Sequence, residues 1–202
     1  MGGMLLLVML LMQLLRQRHA PWAQSRIPLP TSVRRWLMAA WALLMLQIVL
    51  GAWVSSNYAV MACNTYPLCQ GAWWPEMNFD KGFDLWRSLG LDGDGQALPF
   101  QALTAIHFTH RWHAVPVVAL LLWSSFLLYR HGLHTQARGL WFLVFLQFIT
   151  GISNAVLGWP LLAALLHTAS AAGLLLLLSW ALGISESRPS GHIDTTFSRP
   201  DL

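Results

Sequence analysis

The chain has 202 residues, 56% of them hydrophobic and 10% charged, with 12 Trp, 9 Phe and 3 Tyr. An ordinary soluble domain carries roughly 25% charged residues, so this chain lacks the charge to cover a water-facing surface. A soluble globular enzyme and a disordered protein are both excluded. The net charge of +4 comes mostly from Arg scattered between apolar runs, without the basic stripe of a nucleic-acid binder; in a membrane protein such charge reports orientation.

A helix needs ~20 apolar residues to span a bilayer. The first run, Met1–Leu15, is shorter and has neither a basic leader nor a small-residue cleavage site, so it reads as a short or truncated span rather than a secretory signal. A loop follows over 16–35, with Arg16, Arg18, Arg26, Arg34 and Arg35 and no acid. Trp36–Val54 is the next span. Ser55–Ala102 is a long loop in which Lys81 and Arg87 accompany Glu76, Asp80, Asp84, Asp92 and Asp94. Leu103–Tyr129, Gly139–Val156 and Leu161–Ile184 complete the spans, separated by a connector carrying Arg130 and Arg138 and by the short Leu157–Pro160 turn. The polar tail Ser185–Leu202 is read as disordered and cytoplasmic. The positive-inside rule puts the two Arg-bearing connectors in the cytoplasm and the long loop outside, giving an N-out, C-in chain. The expected architecture is an all-α polytopic membrane protein. A four-helix transmembrane bundle occupies 36–184 with an extracytoplasmic loop at 55–102, plus the short or truncated N-terminal span at 1–15. The runs are read as unrelated to one another, with no internal repeat.

The outer loop holds the only cysteines, in Cys63-Asn64-Thr65-Tyr66-Pro67-Leu68-Cys69. Outside the membrane disulfides persist, so a Cys63–Cys69 disulfide is expected, either a structural clamp or a redox-active pair. Beyond Trp73, Trp74 and Pro75 come Phe79, Phe83 and Trp86 at i, i+4 and i+7, flanked by Asp80, Lys81, Asp84 and Arg87. The spacing predicts an amphipathic helix lying at the interface, either as an aromatic lid over the spans or as part of an interfacial aromatic belt. Asp92-Gly93-Asp94-Gly95 is similar to the start of a calcium loop but lacks the other ligands and reads as a turn.

Of eight His, His107, His110 and His113 fall in the Leu103–Tyr129 span and His167 in the last span; His19, His131, His134 and His192 lie outside the spans. Ionisable groups within a span are costly and face the bundle interior, commonly for function. His110 and His167 sit at matching depths, about 10 Å below the outer edge at ~1.5 Å rise per residue. Two such residues on separate helices can take the axial positions of a haem iron. His107 and His113 lie about 60° to either side of His110 around the helix and stay open as second partners or substitute ligands. Arg111 is either a partner to a haem propionate or a donor to a backbone carbonyl. Zinc ranks below haem because the spans supply only His, without Cys or carboxylate. Small residues around His167 (Ala163, Ala164, Ala169, Ala171, Ala172, Gly173) suit either a flat macrocycle or close helix packing.

Leu50-Gly51-Ala52-Trp53-Val54, the Cys63 and Cys69 pair, Ile106-His107-Phe108-Thr109-His110-Arg111, Gln147-Phe148-Ile149-Thr150-Gly151-Ile152-Ser153-Asn154 and Leu165-Leu166-His167 together resemble the haem A synthase family. Members of that family have two similar four-helix halves. The resemblance implies that this chain is the C-terminal half, with Met1–Leu15 the remnant of the preceding helix. It further implies a haem b held by His110 and His167, the pair that depth singles out, and a counterpart for the paired cysteines. The family reaction oxidises the haem O methyl group to the formyl of haem A. The implied setting is a bacterial inner membrane, with haem O as substrate, membrane lipid around the bundle, and haem O synthase or a terminal oxidase as partners. The chain departs from the family pattern in having His107 where the first half carries a Glu. No carboxylate occurs in its spans, so catalytic residues stay unassigned. Two other functions stand beside this one: a non-catalytic membrane cytochrome b or oxidase-assembly subunit, and a structural fragment whose histidines only join helices.

Overall fold

A computed structural model describes residues 27–188. Four long helices carry the apolar runs: α1 (Thr31–Ser56), α2 (Phe100–Arg130), α3 (His134–Val156) and α4 (Leu161–Ile184). All four are long and apolar enough to cross a membrane, and this is a multi-pass, all-α membrane protein. The expected short span at 1–15 lies outside the described residues. Three helices run further than the apolar stretches: α1 begins at Thr31, α2 at Phe100 and α3 at His134. Polar residues can continue a helix past the hydrocarbon, because the backbone hydrogen bonds that hold it do not depend on side-chain polarity.

The helix limits follow from local chemistry. Pro30 and Pro99 stand immediately before α1 and α2 with φ near −60° and extended ψ, and Pro160 precedes α4. A proline costs nothing there, since the first N–H groups of a helix have no partner within it. Gly132 and Gly158, both at positive φ, close α2 and α3. In each case an amide just past the glycine reaches back five residues, Leu133 to the Leu128 carbonyl (2.9 Å) and Trp159 to the Asn154 carbonyl (3.1 Å). These are glycine-closed helix ends, and they permit the tight reversals to the next helix.

The helices pack in the cyclic order α1–α2–α3–α4–α1, which places α2 and α4 across the bundle from each other. The main core joins all four helices through Leu37, Leu44, Val117, Leu121, Leu140, Val144, Leu174 and Leu178. That core fills the half of the bundle near the α2–α3 connector. Two cross-links tie the first helix to the last at the same end: Arg34 Nη1 donates to the Leu182 carbonyl (3.0 Å) and Trp41 Nε1 to Ser179 Oγ (2.9 Å). Ser185–Arg188, assigned to the tail on sequence, pairs as a parallel strand β2 with β1 (Ile27–Pro30), in the register Ile27↔Ser185 to Pro30↔Arg188. The strands set the entry to α1 beside the exit from α4.

The loop between α1 and α2 covers the opposite end. Cys63 and Cys69 form the expected disulfide (S–S 2.01 Å) and are buried against Phe108 of α2. The amphipathic helix expected over Phe79–Trp86 is reduced to a single turn, Phe79–Gly82, capped by Asn78 Oδ1 on the Lys81 amide. A helix continued as far as Trp86 would need a bond from the Trp86 amide to the Gly82 carbonyl. Instead, Gly82 O accepts from Trp53 Nε1 (2.9 Å) and Arg87 Nη2 (3.3 Å), while the Trp86 amide donates to Asp84 Oδ1 (3.0 Å). Trp86 is 97% exposed as a result. Asp92–Gln96 is a turn as expected, with Asp92 Oδ1 accepting from the Asp94 and Gln96 amides (3.1 and 3.0 Å).

Candidate functional site

The end of the bundle beneath the α1–α2 loop is built differently from the leucine-filled end. Here the helices meet through Gln, His, Thr and Gly. His110 projects from α2 towards α1 and His167 from α4 towards α3.

Each imidazole rests against a glycine of the preceding helix. A methyl group added at Gly51 would stand 3.1 Å from His110 Cε1, and one added at Gly151 would stand 3.2 Å from His167 Cε1. One turn earlier on each of those helices a glutamine amide reaches the same histidine. Gln47 Nε2 donates to the His110 carbonyl (3.1 Å), and Gln147 Nε2 donates to the His167 carbonyl (3.1 Å). The pairs α1–α2 and α3–α4 therefore repeat one arrangement, Gln and Gly on the first helix and His on the second. The reading of the spans as unrelated is corrected by this match. The sequence also carries it: Trp41–Gly51 and Trp141–Gly151 share Trp, Leu, Leu, Gln and Gly at the same positions. Hydropathy hides the match, because apolar residues of any kind satisfy a span.

The two halves differ in detail. His167 Nδ1 lies 3.0 Å from Thr150 Oγ1, and that hydroxyl donates to the Leu146 carbonyl (2.7 Å). Its lone pairs are left to accept an Nδ1–H, and this tautomer keeps the Nε2 lone pair for a metal. At His110 the Gln47 amide nitrogen lies 3.2 Å from Nδ1 and 3.4 Å from Nε2, and Gln47 Oε1 meets His113 Nδ1 at 2.7 Å. The corresponding Gln147 Oε1 is buried with no hydrogen-bond partner.

The other sequence candidates are placed apart. His107 is buried (6% exposed), with Nδ1 unpartnered. His113 turns to Gln47. Arg111 serves the disulfide loop: Nη1 donates to the carbonyls of Thr65 (2.7 Å) and Leu68 (3.1 Å), and Nη2 to that of Cys63 (2.6 Å). Of the two roles open to Arg111, the structure displays the backbone-carbonyl one. Among the described residues, no cluster of three or more His, Cys, Asp or Glu could hold a metal ion.

The residues fit a bis-His haem. The two histidines stand on diagonally placed helices, the imidazole of His167 has an unshared Nε2, and glycines leave room only for the rings themselves. Gln47, Thr150 and Gln147 were not singled out as site residues on sequence, although Gln147 and Thr150 lie in the segment that carries the resemblance; being uncharged, they do not stand out within apolar runs.

Residues 1–179 match the COX15-CtaA family, cytochrome oxidase assembly protein. The chain is 36% identical over 187 residues to the Heme A synthase of Shewanella oneidensis, covering 88% of this chain and 54% of that protein. It is 32% identical over 126 residues to the Heme A synthase of Sphingopyxis alaskensis (62% of this chain, 32% of that protein). With that of Paramagnetospirillum magneticum it is 31% identical over 155 residues (75% and 40%). The chain spans about half, or less, of the length of these relatives. No solved structure matches it.

Proposed function

Because the chain belongs to the cytochrome oxidase assembly protein family, we propose that it serves haem A biosynthesis, the oxidation of the haem O methyl group to the formyl of haem A. In this reading it supplies the bis-His haem b half, with His110 and His167 as axial ligands, and corresponds to the C-terminal half of its longer relatives. The observation that supports the reading is the matched seating of those two imidazoles on diagonally placed helices, each against a Gln and a Gly of its neighbour. When bound, such a haem supplies one-electron transfer.

The chain's own residues bind and orient the group. Thr150 holds His167 in the tautomer that presents Nε2. Gln147 and Gln47 anchor the backbone at each ligand. Arg111 ties the disulfide loop over the site, and its Nε–H and remaining Nη2–H are the donors a propionate would take. Haem O as substrate, a terminal oxidase or haem O synthase as partner, and an N-out, C-in orientation in a bacterial inner membrane belong to the same proposal.

The test is spectroscopic. Purified chain supplied with haem should show the Soret band of a low-spin, six-coordinate haem. His110→Ala and His167→Ala should each abolish the low-spin form. An unchanged spectrum in either variant would move that ligand to His107 or His113. The second reading, a cytochrome b-like or assembly subunit without synthase activity, is favoured by the lack of any carboxylate in α1–α4. Haem A content of cells that depend on this chain separates the two: haem b without haem A favours the second.

A further inference from the structure

The repeated Gln and Gly contacts go beyond naming two ligands. We propose that Gln47 with Gly51, and Gln147 with Gly151, are paired positioning elements that set the height and rotation of the two axial imidazoles. This rests on the haem b reading above.

Each element acts at two points one helical turn apart. The glutamine amide binds the carbonyl of the histidine itself, at 3.1 Å in both pairs, which fixes the position of the ligand's backbone along its helix. The glycine then meets the Cε1 edge of the ring. A Cβ there would lie 3.1 or 3.2 Å away, tighter than ordinary van der Waals contact at 3.4–4 Å, so the ring can approach only because none is present. One contact sets translation and the other sets rotation about the side-chain bonds. Both contacts recur on a separate pair of helices. General packing has no reason to place the same residue types at the same distances against the same atom twice.

The elements also carry a built-in asymmetry. Gln47 Oε1 is engaged by His113 Nδ1 at 2.7 Å, whereas Gln147 Oε1 is buried without a partner. Thr150 secures the ring of His167, and the residue at the equivalent place on α1 is Leu50, which has no such group. His110 is therefore oriented through an amide shared with His113, and His167 through a hydroxyl that belongs to it alone. Ligand geometry should be more sensitive to Gln47 than to Gln147.

The experiment uses the whole chain in detergent, loaded with haem b, and reads electron paramagnetic resonance, reduction potential and haem affinity. Gly51→Ala and Gly151→Ala should shift the low-spin g values and the potential, because each added methyl turns one ring. Gly183→Ala, where an added Cβ meets nothing within 4 Å, is the control and should match the parent. Gln47→Leu and Gln147→Leu add no bulk that would prevent folding. Each should weaken haem binding about 10-fold or more, as loss of a partner that orients a metal ligand typically does, with Gln47→Leu the greater. Parent-like g values and affinity in all four variants would overturn the proposal while leaving the haem reading standing. A parent chain without a low-spin Soret band would remove both.

Discussion

Arg111 shows how a single residue can carry the organisation of a loop. It is adjacent in sequence to His110, yet its guanidinium reaches three carbonyls between Cys63 and Leu68. Carbonyl oxygens in a small disulfide ring cannot all turn to water, and a charged planar donor satisfies several at once. Arg111→Gln should therefore lower stability by about 2 kcal/mol, the size expected for hydrogen bonds to a charged group. A thermal melt in detergent and protease cutting near the Cys63–Cys69 ring would show it. An unchanged melt and an intact loop would mean that the disulfide alone holds the segment. That His110 faces a neighbouring helix, by contrast, was legible on sequence, because an ionisable residue within a span is costly to turn to lipid. The direction of Arg111 was not, since its partners lie more than forty residues away.

At the level of elements, the loop between α1 and α2 shows tertiary contacts overruling a local pattern. Phe79, Phe83 and Trp86 have helical spacing, but Trp53 and Arg87 take the carbonyl that would continue the helix. Asn57 completes this knot from the end of α1. It is 1% exposed, and its Oδ1 accepts from Arg87 Nη1 (2.9 Å) and the Gly90 amide (3.1 Å). No window of local sequence contains those partners. The Asp92 turn, built from near neighbours, was readable, and it titrates in a predictable direction. The Gln96 amide donating to its carboxylate is the main cause holding the Asp92 carboxyl below its ordinary value, with Lys81 and the Asp94 amide assisting against the cost of desolvation. A lowered folded value means that the carboxylate's contribution is fully present above the unfolded value and is lost as pH falls through the folded one. The Gln96 amide shift followed by NMR should titrate with a midpoint below the ~3.9 of an unstructured Asp, and Asp92→Asn should abolish the transition. A midpoint at or above that value would contradict the assignment.

For the molecule as a whole, the four spans among the described residues were legible because the bilayer demands apolar length and little else. That same permissiveness concealed the repeat. Apart from Leu50 against Thr150, Trp41–Gly51 and Trp141–Gly151 differ only where one apolar residue replaces another, and the shared contacts to His110 and His167 show that the two helix pairs are built alike. The pairing of β1 with β2 was hidden for a related reason. Its two strands are short, polar in part, and separated by the entire bundle.

The adjacency of those strands makes the bundle a closed circuit whose starting point is arbitrary. Because the strands are parallel, Arg188 lies beside Pro30, and a linker long enough to run back along the strand to Ile27 would seal it; new ends can be opened at Gly132, where the chain already turns and an added Cβ meets nothing within 4 Å. Gly132 lies at the same end of the bundle as the strands, so every helix of such a circular permutant would cross the membrane in its original direction. The rearranged order, α3–α4–α1–α2, merely exchanges the two like pairs. The permutant should insert, bind haem and reproduce the parent's low-spin spectrum. Loss of that spectrum in a correctly inserted permutant would mean that the order of the pairs matters.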